Sequence, residues 1–484
     1  MELKEKVLRA AFWVGLTSAL SKGVGVATTL VIAKLLMPSD FGIIALASLI
    51  TSAIGLFREL GLSRGLIVQK EEIEKSANTI FSLLILWNVF IYLLAFFFAP
   101  LLSAFFKEPA LVGVIRVITI IFIISSFGEV QLALLEKEMS FKKVSIIEAM
   151  HLILYGILSV ILAFLGFGYW SMVYAQIFAE LARVGIIWGM SQWIPVLSLK
   201  VTSVKGLLKF GGSITAIGIV NYLIRNIDDV FVGRILGITS LGYYNLAYRI
   251  ANIPATNVTN VIGRIMLPTY VQISESIFDL RNAFNKTFYF TSLITIPLSL
   301  MIVVFTPDFF HLFYGNKWDS AILPVQILAV FGCLRSLGSG MGGVFLAIKK
   351  PEIMLKASII QLLILTVFLY PATVYWGVLG VSVLTTICIL YSILHCYYHL
   401  KRLLYHSIKE VLKPFCLFLL FSIITILASI FIRFFIFPEL SILSFGIEIF
   451  LVLILYSILT IGVSSKLRKL LASMLGKKGL LNFG

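Results

Sequence analysis

The side chains best able to do chemistry in this chain are charges and amides set inside apolar stretches. In NYLIRNIDDVFVGRILGITSLGYYNLAYRIANIP, Asn221–Pro254, Arg225, Asp228 and Asp229 precede a turn at Gly237-Ile238-Thr239-Ser240, and Asn245, Arg249 and Asn252 follow it. Lys22, Arg58 with its neighbour Glu59, and Arg335 stand in similar surroundings. A cation at the centre of a bilayer costs roughly 2.5–3.5 kcal/mol on insertion scales, so such residues usually face a wet cavity and mark a transport path.

Helical spacing gathers these groups into stripes. Ser18, Ser21, Lys22, Gly25, Thr28 and Thr29 share one face; Thr51, Gly55 and Arg58 share another; Asn221, Arg225, Asp228 and Asp229 form a third. The fourth stripe is Asn245, Arg249, Asn252, Thr256, Thr259 and Asn260. The hydroxyls and glycines in them also suit plain helix–helix packing. Lys22, Arg58 and Arg249 lack an acid three or four residues away on their own helix, whereas Arg225 can pair with Asp228 or Asp229, as Glu180 can with Arg183. Asp228, Asp229 and Glu59 are candidates for proton or sodium coupling, a common use of intramembrane carboxylates. Cations exceed lone anions along the stripes. Arg and Lys in a hydrated, low-dielectric cleft favour phosphate or carboxylate, Arg through paired hydrogen bonds, so an anionic substrate is expected. A carrier of cationic drugs would want an acid on its first helix, which has Lys22 instead.

Other patterns lead nowhere chemical. Gly338, Gly340 and Gly343 spell GxGxxG inside an apolar helix with no βαβ unit, which points to close helix packing. His395 and His399 have i, i+4 spacing with only His406 nearby, so no metal is expected. The four cysteines, Cys333, Cys388, Cys396 and Cys416, read as small apolar residues. With no nucleophile–base pair and no Walker sequence, no catalytic residue or cofactor is expected, beyond coupling to an ion gradient.

The elements that must hold these residues are membrane helices. Hydrophobic residues make 60% of the 484-residue chain and charged residues 13%, against about 45–50% and 25% in soluble proteins. Apolar runs long enough for a hydrocarbon core about 30 Å thick recur from end to end. Their continuity excludes a β-barrel, and the first run is too long for a signal peptide. Fourteen spans are expected: 10–36, 41–66, 77–100, 111–135, 144–166, 169–191, 207–236, 240–266, 286–306, 320–347, 354–376, 378–400, 411–437 and 441–463. Lysines and arginines crowd alternate loops (Lys137, Lys142 and Lys143 in one, Lys401, Arg402, Lys409 and Lys413 in another), while the opposite loops hold only Lys107 and Lys317. The positive-inside rule then places both termini in the cytoplasm and accounts for the net charge of +16 without nucleic acid.

An internal repeat organises the helices. Ile32–Gly42 (IAKLLMPSDFG) matches Val232–Gly242 (VGRILGITSLG) at an offset of two hundred residues. Six spans separate the copies, so two parallel six-helix halves, 1–195 and 207–400, are expected around a central cavity, a transporter architecture. A cytoplasmic linker, 196–206, joins them; an extra helix pair, 401–464, and a basic tail, 465–484, follow. That tail suits anionic lipid. The outer loops are short, the longest near 307–319, which leaves no room for a polymerase's catalytic domain.

Lys205–Ile273, with GLLKFG, NYLIRNIDDVFVGRILG and GYYNLAYRIANIP, resembles the second half of bacterial polysaccharide exporters of the multidrug/oligosaccharidyl-lipid/polysaccharide flippase superfamily. YGNKW at Tyr314–Trp318 and LRSLG at Leu334–Gly338 resemble the colanic- and teichuronic-acid branch; LLMPSDFG at Leu35–Gly42 and RELGL at Arg58–Leu62 also fit. The resemblance implies a non-enzymatic carrier in the bacterial inner membrane. It would move sugar repeat units on undecaprenyl pyrophosphate to the outer leaflet by alternating access, with polymerase or assembly proteins as further partners. By analogy with lipid II flippases, Lys22, Arg58 and Arg249 sit on the helices that would hold the anionic headgroup. The alternatives are an ion-coupled exporter of small amphiphiles and a membrane-embedded polymerase or ligase.

Overall fold

The computed structural model describes residues 17, 23–58, 62–68, 73–198, 219, 222–436, 439 and 441–463, with backbone alone at 64, 68 and 257–265. The all-α part of the expectation holds: the described residues are helical, without strands. The helices are α1 (Gly23–Leu35), α2 (Pro38–Gly55), α3 (Leu62–Val68), α4 (Ile73–Phe106), α5 (Ala110–Ile118), α6 (Ile120–Lys137), α7 (Phe141–Phe164) and α8 (Trp170–Met190). After them come α9 (residues 222–231), one π-helical turn (Val232–Leu236), α10 (Gly237–Ala251), α11 (Ile253–Gln272), α12 (Ile277–Tyr314) and α13 (Asp319–Ala347). The chain ends with α14 (Glu352–Leu403), α15 (Ile408–Ile436) and α16 (Ile442–Val463). Among the described residues, eight helical stretches are long and apolar enough to cross a bilayer. Three of these hold a break: Ala110–Lys137 at Thr119, Ile277–Ala347 at Gly315–Trp318, and Glu352–Leu403 at Gly377, whose φ of 58° interrupts the helix between the expected spans 354–376 and 378–400.

Three expected spans differ from the structure in an instructive way. The span 41–66 is two helices, α2 and α3; 111–135 breaks at Thr119 into α5 and α6; 240–266 breaks at Asn252 into α10 and α11. Apolar continuity hides such interruptions, because a break inside a membrane protein is tolerated where side chains re-satisfy the freed backbone. At the first break α4 does this: Trp87 Nε1 donates to Phe57 O at 2.7 Å and Asn88 Nδ2 to Arg58 O at 3.4 Å. In the expected loop 307–319, Pro307–Tyr314 is helix, so only Gly315–Trp318 is left to turn the chain, with Trp318 fully buried.

The chain divides into two compact units, Met1–Asn245 with Leu369–Val378, and Leu246–Phe368 with Leu379–Gly484. In the first unit, Leu62 and Leu66 of α3, Ile80, Phe81 and Leu84 of α4 and Val130 of α6 form a core. The extended residues after α8 lie along α4, where Asn78 Oδ1 accepts from Val196 N at 2.8 Å and Ser82 Oγ from Ser198 N at 2.9 Å. The rest of the expected linker, and the tail 465–484, lie outside the described residues. In the second unit, Tyr270, Phe284, Phe288, Met341 and Phe345 gather α11, α12 and α13. Phe305, Ile426, Phe445 and Val452 pin α15 and α16 to α12. Lipid is as apolar as these side chains, so dispersion and polar ties hold the helices together.

The repeat has a structural counterpart inside the first unit. Each copy ends one helix and starts the next: Met37 is extended (φ −88°, ψ 158°) before Pro38, and Gly237 takes φ 82° before α10. The two turns meet. A Cβ on Gly42 would stand 1.8 Å from Ile238 O, and one on Gly242 would stand 1.8 Å from Pro38 O. Position 42 thus packs on the counterpart of position 38, and position 242 on position 38 itself. This reciprocity is what a local two-fold relation between the copies requires.

Candidate functional site

In the first unit, the break after α2 presents Arg58 to α6. Its Nη2 donates to Glu129 Oε1 at 2.6 Å and its Nη1 to Ser125 Oγ at 3.2 Å. Arg58 has no acid three or four residues away in sequence, but has one 71 residues away. Glu129 escaped the sequence reading; the available signal was a lone acid in the middle of an apolar run. Sharing a guanidinium with a buried carboxylate reduces what Arg58 can offer an incoming anion.

Arg225 is exposed on α9 and makes no ion pair among the described residues. Asp228, one turn on, is buried and turned elsewhere: Tyr244 OH donates to its Oδ2 at 2.6 Å, and its Oδ1 accepts from Asp229 N at 3.1 Å. The local pair open to Arg225 is therefore not the one formed. Asn245 on α10 has a buried Oδ1 with no hydrogen-bond partner among the described residues. Lys22 and Glu59 lie outside the described residues.

In the second unit the chain breaks at Asn252, between α10 and α11. Gly332 of α13 lies so close to it that a Cβ there would stand 2.3 Å from Ala251 O. That approach sets Arg335, one turn further along α13, against the break. Arg335 Nη1 donates to Asn252 Oδ1 at 3.3 Å and to Tyr248 OH at 3.4 Å. Asn252 is oriented for this by donating its own Nδ2 to Tyr248 O at 2.9 Å. Both partners are neutral, so the half-buried guanidinium keeps its full charge. Arg249 is exposed and has no hydrogen bond or ion pair among the described residues. The structure brings Arg335, Asn252 and Tyr248 together; Tyr248 was missed because a tyrosine in an aromatic-rich run carries no distinguishing mark.

The stripe hydroxyls divide differently. Thr28 sits against Gly156 of α7, and Thr29 and Thr51 donate back to Gly25 O and Ala47 O one turn earlier. These are packing contacts. His395 and His399 have ring centroids 4.9 Å apart, while His406 Nε2 lies 2.6 Å from Asn285 Oδ1. No group of three metal-ligating side chains occurs among the described residues.

The described residues thus form a membrane chain of broken helices in which one cation, Arg335, is held between two neutral side chains. The chain belongs to the polysaccharide biosynthesis protein family, whose model matches residues 31–323. It is 26% identical over 440 residues to the lipopolysaccharide biosynthesis protein WzxC of Escherichia coli (strain K12), covering 89% of this chain and 88% of that one. It is 27% identical over 292 residues to the teichuronic acid biosynthesis protein TuaB of Bacillus subtilis (strain 168), 60% of each chain. Its fold is that of the lipid II flippase MurJ in an inward closed conformation, with a TM-score of 0.76 at 16% identity, covering 95% of this chain and 99% of that one.

Proposed function

We propose that this protein is a flippase that moves undecaprenyl-pyrophosphate-linked oligosaccharide repeat units from the cytoplasmic to the outer leaflet of the bacterial inner membrane. It works by alternating access of the two repeat-related halves, for surface polysaccharide synthesis, and does no chemistry on the sugar. The observation that carries this reading is Arg335, a guanidinium within an apolar helix held by Asn252 and Tyr248 rather than by an acid. Its charge is available to a pyrophosphate or an acidic sugar, and paired N–H donors fit either oxyanion. Arg249, Arg225 and Lys22 are assigned supporting roles toward the same anion; Arg58 shares itself with Glu129. The reading includes fourteen crossings with both termini cytoplasmic, supported by the one-sided distribution of Lys and Arg. It also includes six-helix halves 1–195 and 207–400, supported by the reciprocal packing of Gly42 and Gly242.

The test is reconstitution in proteoliposomes with a fluorescent undecaprenyl-pyrophosphate trisaccharide. Wild type should change the probe's leaflet without changing its length or linkage. Arg335→Glu should abolish movement while the protein remains folded, and Arg335→Lys should retain part of it. Elongated product would mean a polymerase, and normal movement by Arg335→Glu would make this arginine structural.

A further inference from the structure

A second charged cluster lies in the first unit, on α7 and α8, and the anion-binding reading does not use it. Arg183 Nη1 donates to Glu180 Oε1 at 2.9 Å, and its Nη2 to Glu148 Oε1 at 2.9 Å. His151 Nε2 stands 3.5 Å from the other oxygen of Glu180, and that nitrogen is buried with no hydrogen-bond partner among the described residues. From these contacts we infer that the cluster is a proton-binding site, with one proton shared between His151 and Glu180. The inference deepens the export reading and rests on it.

Three observations support the site. The first is charge. Two carboxylates and one guanidinium leave an excess of one negative charge when the imidazole is neutral, and one bound proton removes it. A buried ionic group with uncompensated charge is expensive, so a titratable neighbour takes a proton instead. Glu180 is 7% exposed and Arg183 12% exposed, so water does little to relieve the excess.

The second is depth. Glu148 and His151 lie seven and ten residues into α7, and Arg183 and Glu180 lie seven and ten residues before the end of α8. At 1.5 Å per residue the group spans about 10–15 Å along the two helices from one shared end. The third is access. Glu148 is 47% exposed, and an exposed carboxylate inside a span needs water. The cluster therefore grades from the exposed Glu148 through a partly exposed His151 to the buried Glu180, a path by which a proton can enter.

The other elements packed here contribute few charges. α6 brings Glu129, which is paired with Arg58, and Glu136 and Lys137 at its end, and α5 brings Arg116, whose Nε donates to Phe96 O at 3.3 Å. α1 touches α7 at Gly156, and its one charged residue among those described, Lys34, is exposed at its far end. Lys143 of α7 is tied to Met190 O at 3.1 Å. Lys22 lies outside the described residues.

The experiment uses the same proteoliposomes and trisaccharide probe, with and without an imposed pH gradient of one unit. If one proton moves per cycle, the gradient changes the wild-type rate by up to about tenfold. His151→Gln and Glu180→Gln, tested separately in case one fails to fold, should keep the gradient-free rate and lose the response. A wild-type rate that ignores pH, or follows a sodium gradient instead, overturns the inference while leaving the flippase reading in place. So does a His151→Gln protein that responds as wild type does. Absence of probe movement by wild type under any gradient removes the export reading and this site with it.

Discussion

Substituting alanine for Gly42 or Gly242 should destabilise the protein, against the usual sign for a glycine inside a helix. Glycine in a helix interior is worse than alanine by about 1 kcal/mol, so propensity alone predicts a gain. The contact predicts a loss. The new Cβ at Gly42 would stand 1.8 Å from Ile238 O and 2.5 Å from its carbonyl carbon, where real Cβ atoms keep beyond 3.0 Å. The two turns must separate by about 1.2 Å, and what must move is backbone rather than a flexible side chain. Overpacking of that kind costs about 1–3 kcal/mol, here at the upper end, leaving a net loss of about 2 kcal/mol after the propensity gain. Thermal unfolding of the purified protein should therefore begin roughly 2–4 °C lower, given the small shift per kcal/mol in a chain of this length. Gly185→Ala, in a helix where nothing lies within 4 Å of the new atom, is the control and should be neutral or stabilising. Because one separation relieves both clashes, the double alanine variant should cost much less than the two single losses added. A Gly42→Ala protein as stable as wild type, or a fully additive double variant, would refute the reciprocal packing of the turns.

Two further outcomes follow from charged groups outside the anion site. Arg433 donates to Asp308 Oδ2 at 2.6 Å and to the buried Glu448 at 2.9 Å, so Arg433→Gln strands a carboxylate among α12, α15 and α16. The loss should be roughly 2–4 kcal/mol, near the low end for a buried pair because Arg433 is partly exposed. Adding Glu448→Gln should restore most of the melting temperature; no recovery would mean that the triad is not what anchors the last two helices. In the loop between α14 and α15, His406 is buried against Asn285 and Tyr397, and burial lowers its pKa below the usual 6.5. The folded state then binds this proton less readily than the unfolded chain, so the contribution is complete above about pH 6.5 and is lost as pH falls toward the folded pKa. Melting temperature should fall less between pH 7 and pH 5 in His406→Gln than in wild type; an unchanged slope would rule His406 out as the source.

Much of the architecture is legible in the chain because a bilayer limits the choices. Long apolar runs must be helices, and Gly377 and the turn at Gly315–Trp318 fall where the hydropathy dips. The repeat is legible because both copies use one local device, a helix stop followed by a helix start. What the pattern conceals is where a helix breaks without leaving the membrane. Arg58 and Asn252 sit at such breaks, and neither Trp87 and Asn88, which satisfy the first, nor Gly332, which approaches the second, is adjacent in sequence.

Charge pairing is concealed for a related reason. In water an ion pair contributes little, and spacing along one helix is a fair guide to it. Inside a membrane an unpaired charge costs enough to draw a partner from anywhere in the fold. Arg183 finds Glu148 at a separation of 35 residues, Arg58 finds Glu129 at 71 and Arg433 finds Asp308 at 125. Asp228 passes over Arg225, one turn away, for Tyr244. The informative cation is therefore one the whole fold leaves with neutral partners, and the described structure does this for Arg335, where Asn252 and Tyr248 orient the guanidinium without neutralising it. Had stability been the only requirement, an acid at position 252 would have served it better. On the proposed reading, an asparagine there leaves the charge for the anion to be carried.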